Sequence, residues 1–179
     1  MTIAGATLLK NPPIGSHIVY PYGDELRAMD VVAGYAASGL KSGDALVLFL
    51  TESHCRLINA RLEADGFDIV SLTASKQFQC ADAAYTLDKF MVDGVPDEKL
   101  FREAISPLLA NAMQFGKVRA YGEMVSLLFG ANHNAAYRLE EFWNAVIRES
   151  RICLLCTYDL GGKSELAHDL CNTHSHYVV

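Results

Sequence analysis

The sequence predicts an α/β fold of three layers, in which helices cover both faces of a mostly parallel central sheet. One observation is that strand-like apolar runs alternate with segments of helical periodicity, an order typical of parallel strands joined by right-handed crossovers. Another is that residues 45–50 and 151–158 are almost uninterrupted apolar runs, as in strands buried on both faces of a parallel sheet. In such open sheets, ligands usually bind beyond the carboxyl ends of the strands.

The size and composition of the chain limit the classes of protein to which it can belong. Its 179 residues, 51% of them hydrophobic, suffice for one domain with its own core. The net charge of -6 gives no basic surface for phosphate backbones, so no direct nucleic-acid binding is expected. No apolar stretch is long enough for a membrane span, and the N-terminus lacks a targeting segment. Five irregularly spaced cysteines fit reduced thiols, and we expect a cytoplasmic protein.

The N-terminal part of the chain begins with a segment that has no sustained periodicity. Residues 1–16 include two consecutive prolines and are expected to form a flexible arm, so the single domain is assigned to residues 17–179. Residues 17–22 form the first predicted strand, and Asp24 is placed to cap the helix that follows. That helix keeps its apolar spacing until Gly39 ends it.

The rest of the chain continues the alternation of helices and strands. Pairs of apolar residues stay in helical phase across Pro107, which indicates one helix over residues 97–115, kinked or locally broken at the proline. Amphipathic spacing predicts another long helix over residues 133–149. The remaining predicted elements are helices at 54–64, 81–93 and 165–171, a short helix from the turn at 122–124 through Phe129, strands at 69–72, 117–121 and 151–158, and an edge strand or tail at 174–179.

Six short motifs occur in order along the chain. They are His17-Ile-x3-Tyr22, Asp93-Gly94, Val118-Arg-x-Tyr-Gly-Glu-Met124, Arg138-Leu-Glu-x2-Trp143-Asn, Leu155-Cys-x-Tyr158 and Cys171-x2-His174-Ser175. Together they resemble the MEDS sensory domain, the methanogen and methylotroph domain named after regulators of dichloromethane dehalogenation, over about residues 17–178. Residues 39–68 are similar to the second strand unit of KaiC-like members of the RecA superfamily.

This resemblance implies a RecA/KaiC-like fold with a degenerate phosphate-binding loop, and a sensory role in signal transduction or transcription regulation. The ligands that it implies are small hydrocarbon derivatives. Because the chain stops at Val179 without a kinase or DNA-binding region, any output is expected to pass through a separate signalling or regulatory protein or through an excised neighbouring domain. The apolar C-terminal tail and the odd number of cysteines are compatible with a homodimer.

The loop after the first strand lacks the composition of an active phosphate-binding loop. Such a loop needs glycines whose amides hold phosphate, a lysine and a hydroxyl residue, whereas this one offers a single glycine followed by Asp24 and Glu25. A Gly-Lys-Ser sequence at residues 162–164 follows the last strand and lacks the upstream glycine. We therefore expect no enzyme activity and no cofactor, and a residual nucleotide-binding protein remains an alternative.

Nine residues at predicted strand ends or in the motifs are the candidates for ligand contact. They are His17, Tyr22, Glu52, Tyr121, Glu123, Arg138, Trp143, Tyr158 and His174. Glu123 directly follows a strand and is either a hydrogen-bond acceptor or a first-turn acid stabilised by the helix dipole. Arg138 pairs either with Glu141 on its own helix or, as the resemblance suggests, with Glu123. Trp143 either packs in the core or forms a wall of an apolar pocket.

A metal- or redox-sensing module is the main alternative to a sensor of organic ligands. Cys171 and His174 have a spacing that zinc accepts, and His176 follows closely, so these three are the predicted ligands if a metal is bound. No second half-site accompanies them, and the default prediction is therefore no metal. Cys153 and Cys156 lie three residues apart on a strand and are expected to face opposite sides of the sheet.

Overall fold

The computed structural model describes residues 1–159 and 172–178. Its helices are α1 (Ile3–Lys10), α2 (Glu25–Lys41), α3 (Glu52–Ala64), α4 (Ile69–Ala74), α5 (Ala83–Asp88), α6 (Glu98–Met113), α7 (Met124–Phe129) and α8 (His133–Ser150). Its strands are β1 (His17–Tyr22), β2 (Ala45–Leu50), β3 (Phe78–Asp82), β4 (Met91–Val92), β5 (Val95–Pro96), β6 (Val118–Gly122), β7 (Cys153–Asp159) and β8 (His176–Tyr177). Among the described helices, none is both long and apolar enough to cross a membrane.

Six of the strands form one sheet in the order β3-β2-β6-β7-β1-β8. Every neighbouring pair in this sheet is parallel, and helices pack on both of its faces, which confirms the predicted three-layer α/β fold. All residues of β2 are buried, as its uninterrupted apolar sequence predicts. The other two strands, β4 and β5, form a separate antiparallel pair.

Each face of the sheet has its own apolar core. Alternate residues of β2 contribute to opposite faces, because successive side chains of a strand point in opposite directions. Val47 and Phe49 join the core that α6, α7 and α8 cover. Leu46 and Leu48 join the core that α1, α2 and α3 cover. Groups on these two faces are therefore separated by the sheet.

The prediction of a flexible arm at residues 1–16 is wrong for its central part, which forms α1. Thr2 caps this helix by accepting a hydrogen bond from the Gly5 amide, and Leu9 is buried against the domain. After α1, the Lys117 ammonium group donates to the Pro12 carbonyl at 2.8 Å. The prolines indicated disorder, but tertiary contacts on both sides of them hold the segment in place.

The predicted strand at residues 69–72 is also wrong, because these residues form α4. The apolar β-branched residues Ile69 and Val70 suggested a strand, but Asp68 caps a helix by accepting from the Ser71 amide at 3.0 Å. The strand that pairs with β2 at this edge is β3, which begins at Phe78.

The predicted helix at residues 81–93 is too long, since α5 ends at Asp88 and a short hairpin follows. The turn between β4 and β5 has positive φ at Asp93 (50°) and at Gly94 (78°), a conformation that glycine adopts without strain. Elsewhere the predictions are confirmed for α6, which continues through Pro107, and for α8 and β7. The edge strand near the C-terminus is confirmed as β8, and the predicted helix at 165–171 lies outside the described residues.

Two pairs of cysteines behave differently. Cys55 in α3 and Cys80 in β3 are joined by a disulfide, which contradicts the prediction that the cysteines are reduced. Cys153 and Cys156 of β7 are free and buried. Cys156 lies in the core under α8, whereas the Cys153 thiol is 3.1 Å from the Pro13 carbonyl, so the predicted opposite orientation is confirmed.

Candidate functional site

Glu123 is the centre of a hydrogen-bond network at the carboxyl edge of the sheet. Its Oε2 accepts from the Thr51 amide at 2.7 Å, and its Oε1 lies 2.6 Å from His54 Nδ1. The Tyr121 hydroxyl donates to the same Oε1 at 3.3 Å and lies 2.8 Å from Thr157 Oγ1. Glu123 thus connects the ends of β2 and β6 to the first turn of α3.

The N-terminus of α2 is occupied by acidic side chains of the chain itself. Asp24 accepts a hydrogen bond from the Arg27 amide at 3.2 Å, and Glu25 Oε1 lies 3.4 Å from His54 Nε2. Burial and the negative charges of Glu25, Asp159 and Glu123 raise the pKa of nearby Tyr22 to about 12. The electrostatic potential at this corner of the sheet is therefore negative.

A second group of polar side chains is buried between α8 and the sheet. We call His17, Glu140, Cys156 and His174 the inner cluster, in which one potential ligand atom of each residue lies within 4.8 Å of the other three. His17 Nε2 is 3.3 Å from Glu140 Oε2 and 3.5 Å from Cys156 Sγ. His174 Nε2 is 3.8 Å from Glu140 Oε1. The four residues come from β1, α8, β7 and the segment before β8, so only the folded chain brings them together.

Both histidines of the inner cluster are oriented by a partner at the other ring nitrogen. His17 Nδ1 is 3.0 Å from Asn144 Oδ1, and the Asn144 amide group donates to the Thr173 carbonyl at 3.1 Å. His174 Nδ1 is 3.0 Å from Thr173 Oγ1. Because an amide oxygen only accepts hydrogen bonds, the proton of neutral His17 is on Nδ1. Its Nε2 therefore presents a lone pair to the cluster.

Burial controls the protonation of the inner cluster. It lowers the pKa of His17 to about 4, although the hydrogen bond with Asn144 favours the charged form. It raises the pKa of Glu140 to about 8, although the Tyr158 hydroxyl donates a hydrogen bond to this carboxyl group. Burial and the neighbouring Glu140 also raise the pKa of the Cys156 thiol. Burial therefore disfavours the charged forms of both His17 and Glu140 where they contact each other.

A cavity of about 370 Å³ lies on the opposite face of the sheet, between α1 and α2. We call it the helix cavity. Its apolar wall includes Leu9, Tyr20, Val31, Gly34 and Tyr35, and charged residues of α1 and α2 lie at its margin. None of the nine residues predicted to contact a ligand is among those that line it.

The comparison with protein families decides the classification of the chain. The family model described as "MEthanogen/methylotroph, DcmR Sensory domain" matches residues 16–175. The chain belongs to the MEDS family. The matched range contains all four members of the inner cluster and the Glu123 network. The resemblance found in the six motifs is thereby confirmed, and the MEDS family is a family of sensory domains.

The fold of this MEDS domain is similar to that of a solved structure, the KaiC-like protein PH0186 from the hyperthermophilic archaeon Pyrococcus horikoshii OT3. The TM-score is 0.55 at 14% sequence identity, and the match covers 82% of this chain and 62% of that chain. At this identity the similarity shows a RecA/KaiC-like fold alone. No curated protein has a significant sequence match to this MEDS domain.

The structure distributes the nine predicted residues over separate places. His17, Tyr158 and His174 come together at the inner cluster, while Tyr121 and Glu123 come together at the carboxyl edge. Tyr22 lies near this second group, as the charges that raise its pKa indicate.

The other three predicted residues have different surroundings. Glu52 is exposed and lies 3.1 Å from Arg56 on the same helix. Trp143 is buried against Phe49 and Phe101, which supports its interpretation as a core residue. The guanidinium of Arg138 lies over the Phe142 ring of α8. Glu123 is bonded to Thr51, His54 and Tyr121, rather than to Arg138 as the resemblance suggested.

Two of the three residues predicted as alternative metal ligands lie within the described part of the chain. His174 belongs to the inner cluster, whereas the Nδ1 of His176 in β8 lies 2.7 Å from Ser175 Oγ. Cys171 lies outside the described residues. Sequence reasoning missed Glu140 as a partner of the histidines. One signal was present, because Glu140 is an acid on the apolar face of α8, between Ala136 and Trp143 in helical spacing.

Proposed function

We propose that this MEDS domain is a non-catalytic sensor that binds a small organic ligand in the helix cavity and reports its presence to a separate protein. The observation that carries the proposal is the cavity of about 370 Å³, with Leu9, Tyr20 and Tyr35 in its wall. Sites for small molecules usually have volumes of about 300–1,000 Å³, mostly apolar walls and a few polar groups. Lys10 and Arg27 at the margin supply charged groups for a polar end of the ligand.

The first turn of α2 supports a ligand other than a nucleotide. The Arg27 amide, which a phosphate would need, already donates to Asp24. Glu25 adds a second negative charge in the same turn. A triphosphate would therefore meet repulsion at the position where phosphate-binding loops supply free amides and a lysine. This arrangement supports the proposal that the domain has lost ATPase activity.

Binding in the helix cavity would act mainly on the position of α1. This helix has 8 residues, fewer than an isolated helix needs for stability in water. A ligand that touches both α1 and α2 would favour the packed position of α1, provided that it binds this position better than any other. The proposed partner protein would then recognise the surface that α1 forms with α2.

Thermal denaturation of the full chain tests this proposal, with short primary alcohols, short carboxylic acids and chloroalkanes as probes. A probe at about 100 times its Kd should stabilise the protein by about 2.7 kcal/mol. Gly34→Leu should abolish this stabilisation, because Gly34 lines the cavity with open space beside it, so a leucine side chain there would occupy the volume that the probe needs. The control Gly34→Ala adds only a methyl group and should keep the stabilisation.

Three outcomes would contradict the proposal. The first is that no probe stabilises the wild-type chain. The second is that the stabilisation persists in Gly34→Leu, which would place the ligand elsewhere. The third is that ATP with Mg²⁺ stabilises the chain, which would favour a residual nucleotide-binding protein.

A further inference from the structure

The distances within the inner cluster match those between the ligands of a tetrahedral metal ion. With metal–nitrogen and metal–oxygen bonds of about 2.05 Å, two such ligands of a tetrahedron are about 3.4 Å apart, and a nitrogen and a sulfur ligand are about 3.6 Å apart. His17 Nε2 lies 3.3 Å from Glu140 Oε2 and 3.5 Å from Cys156 Sγ. All four ligand atoms lie within 4.8 Å of one another, so no separation exceeds the tetrahedral values by more than about 1.4 Å.

The orientation of the side chains also suits a metal ion at the centre. His17 and His174 both direct Nε2 inward, and the other ring nitrogen of each contacts Asn144 or Thr173. Such outer partners are typical of histidines that bind metals. Glu140 is fully buried, and its Oε2 has no hydrogen-bond partner within the described part of the chain. A buried carboxylate oxygen without a hydrogen-bond partner is energetically costly unless a cation or a proton neutralises its charge.

The geometry points to a four-ligand site for a divalent transition metal, of which Zn²⁺ fits this donor set best. Two imidazole nitrogens, one thiolate and one carboxylate are ligands that zinc binds in tetrahedral geometry. As ligands, Cys156 and Glu140 each carry one negative charge, so they neutralise a divalent ion inside the core. The Tyr158 hydroxyl, which donates to Glu140, orients the carboxylate from outside.

The position of the site in the fold gives it a role in packing the C-terminal segment. His174 precedes β8, a strand of 2 residues that pairs with β1 at the edge of the sheet. The metal would connect this edge segment to β1, β7 and α8. The site lies on the opposite face of the sheet from the helix cavity. It is therefore independent of the proposed organic ligand.

Elemental analysis and Co²⁺ substitution test the site on the full chain. We expect about one equivalent of zinc per chain after purification, and removal of this metal by a chelator. One equivalent of Co²⁺ added to the metal-free chain should give thiolate-to-cobalt charge transfer and the intense visible bands of tetrahedral Co²⁺. Cys156→Ser should lose the charge-transfer band. Cys153→Ser is the matched control, a buried cysteine of the same strand on the opposite face, and should keep it.

A second variant keeps the test informative if Cys156→Ser fails to fold. Asn144→Ala removes a partner of His17 but no ligand, so it should weaken Co²⁺ binding by about 10- to 100-fold and leave the charge-transfer band intact. The site is refuted if the wild-type chain shows no such band, or if Cys153→Ser and not Cys156→Ser loses it. Unchanged affinity in Asn144→Ala would also count against it. The Gly34 variants should bind Co²⁺ normally, so failure here and failure at the helix cavity are distinguishable.

Discussion

Replacing Arg119 with methionine tests whether one buried guanidinium group holds α1 on the domain. The side chain of Arg119 is fully buried, and its Nε donates to Asp44 Oδ2 at 2.7 Å. Its Nη1 donates to the Leu9 carbonyl at 3.1 Å, and its Nη2 to the Lys10 carbonyl at 3.0 Å. Further bonds reach α2. One side chain therefore joins the last turn of α1 to α2 and β6.

The expected loss of stability follows from what methionine leaves behind. Methionine keeps most of the apolar stem but donates no hydrogen bond, so the almost fully buried Asp44 carboxylate loses its positive partner. Removal of one partner from a buried ion pair costs about 3–5 kcal/mol. This is a large part of the total stability of a domain, about 5–15 kcal/mol. Because α1 is too short to persist alone, we expect it to detach at lower urea concentrations than the core.

Urea denaturation measures the change in stability, and hydrogen exchange of the α1 amides measures detachment of the helix. Arg102→Met is the control, because it removes an exposed arginine that bonds Glu149 on the surface, and it should change the midpoint little. Arg119→Met combined with Asp44→Asn should recover part of the loss, since the buried charge is also removed. A cost below about 1 kcal/mol with full protection of α1 would refute the reasoning.

Two further predictions concern α2. Gly39→Ala should destabilise the domain by about 1–3 kcal/mol in urea denaturation, because the added Cβ would lie 2.8 Å from Arg119 Cδ, and several hydrogen bonds keep Arg119 from moving. The control Gly34→Ala, in open space on the same helix, should stabilise the domain slightly. Equal effects of the two substitutions would contradict this account. Asp24→Ala should lower the stability by about 1 kcal/mol because it removes the cap of α2, whereas Asp24→Ser should retain most of the stability that the cap provides. Thermal denaturation measures both, and an equally large loss for the two variants would exclude capping as the cause.

The features of the fold that were predicted correctly depend on local patterns. The apolar run of β2 and the amphipathic spacing of α8 are visible in the sequence because burial repeats with the period of each element. The errors occur where local signals compete. Ile69 and Val70 have strand propensity, but the cap at Asp68 favours a helix. The prolines after α1 suggested an irregular segment, whereas α1 is stabilised by a hydrogen bond from Arg119, which is distant in the sequence.

The candidate sites were predicted only in part, because their members are far apart in the chain. His17 and His174 were named as candidates, yet no spacing rule connects them to Cys156 in β7 or to Glu140 in α8. His54 was not expected to bond Glu123, since the contact needs the adjacency of β2 and β6. The helix cavity depends on α1, whose existence the sequence did not indicate.

The sequence by itself determined the three-layer α/β class, the strands and helices with strong periodicity, and the MEDS family. Each of these depends on local residue patterns and on the order of elements and motifs along the chain. The tertiary structure decided which polar side chains meet. The parallel sheet places β1, β7 and β8 side by side and lays α8 across them, so groups separated by more than a hundred residues come within bonding distance in a core that excludes water. Side-chain chemistry in such a core depends on burial and on neighbours, and only the folded chain supplies both.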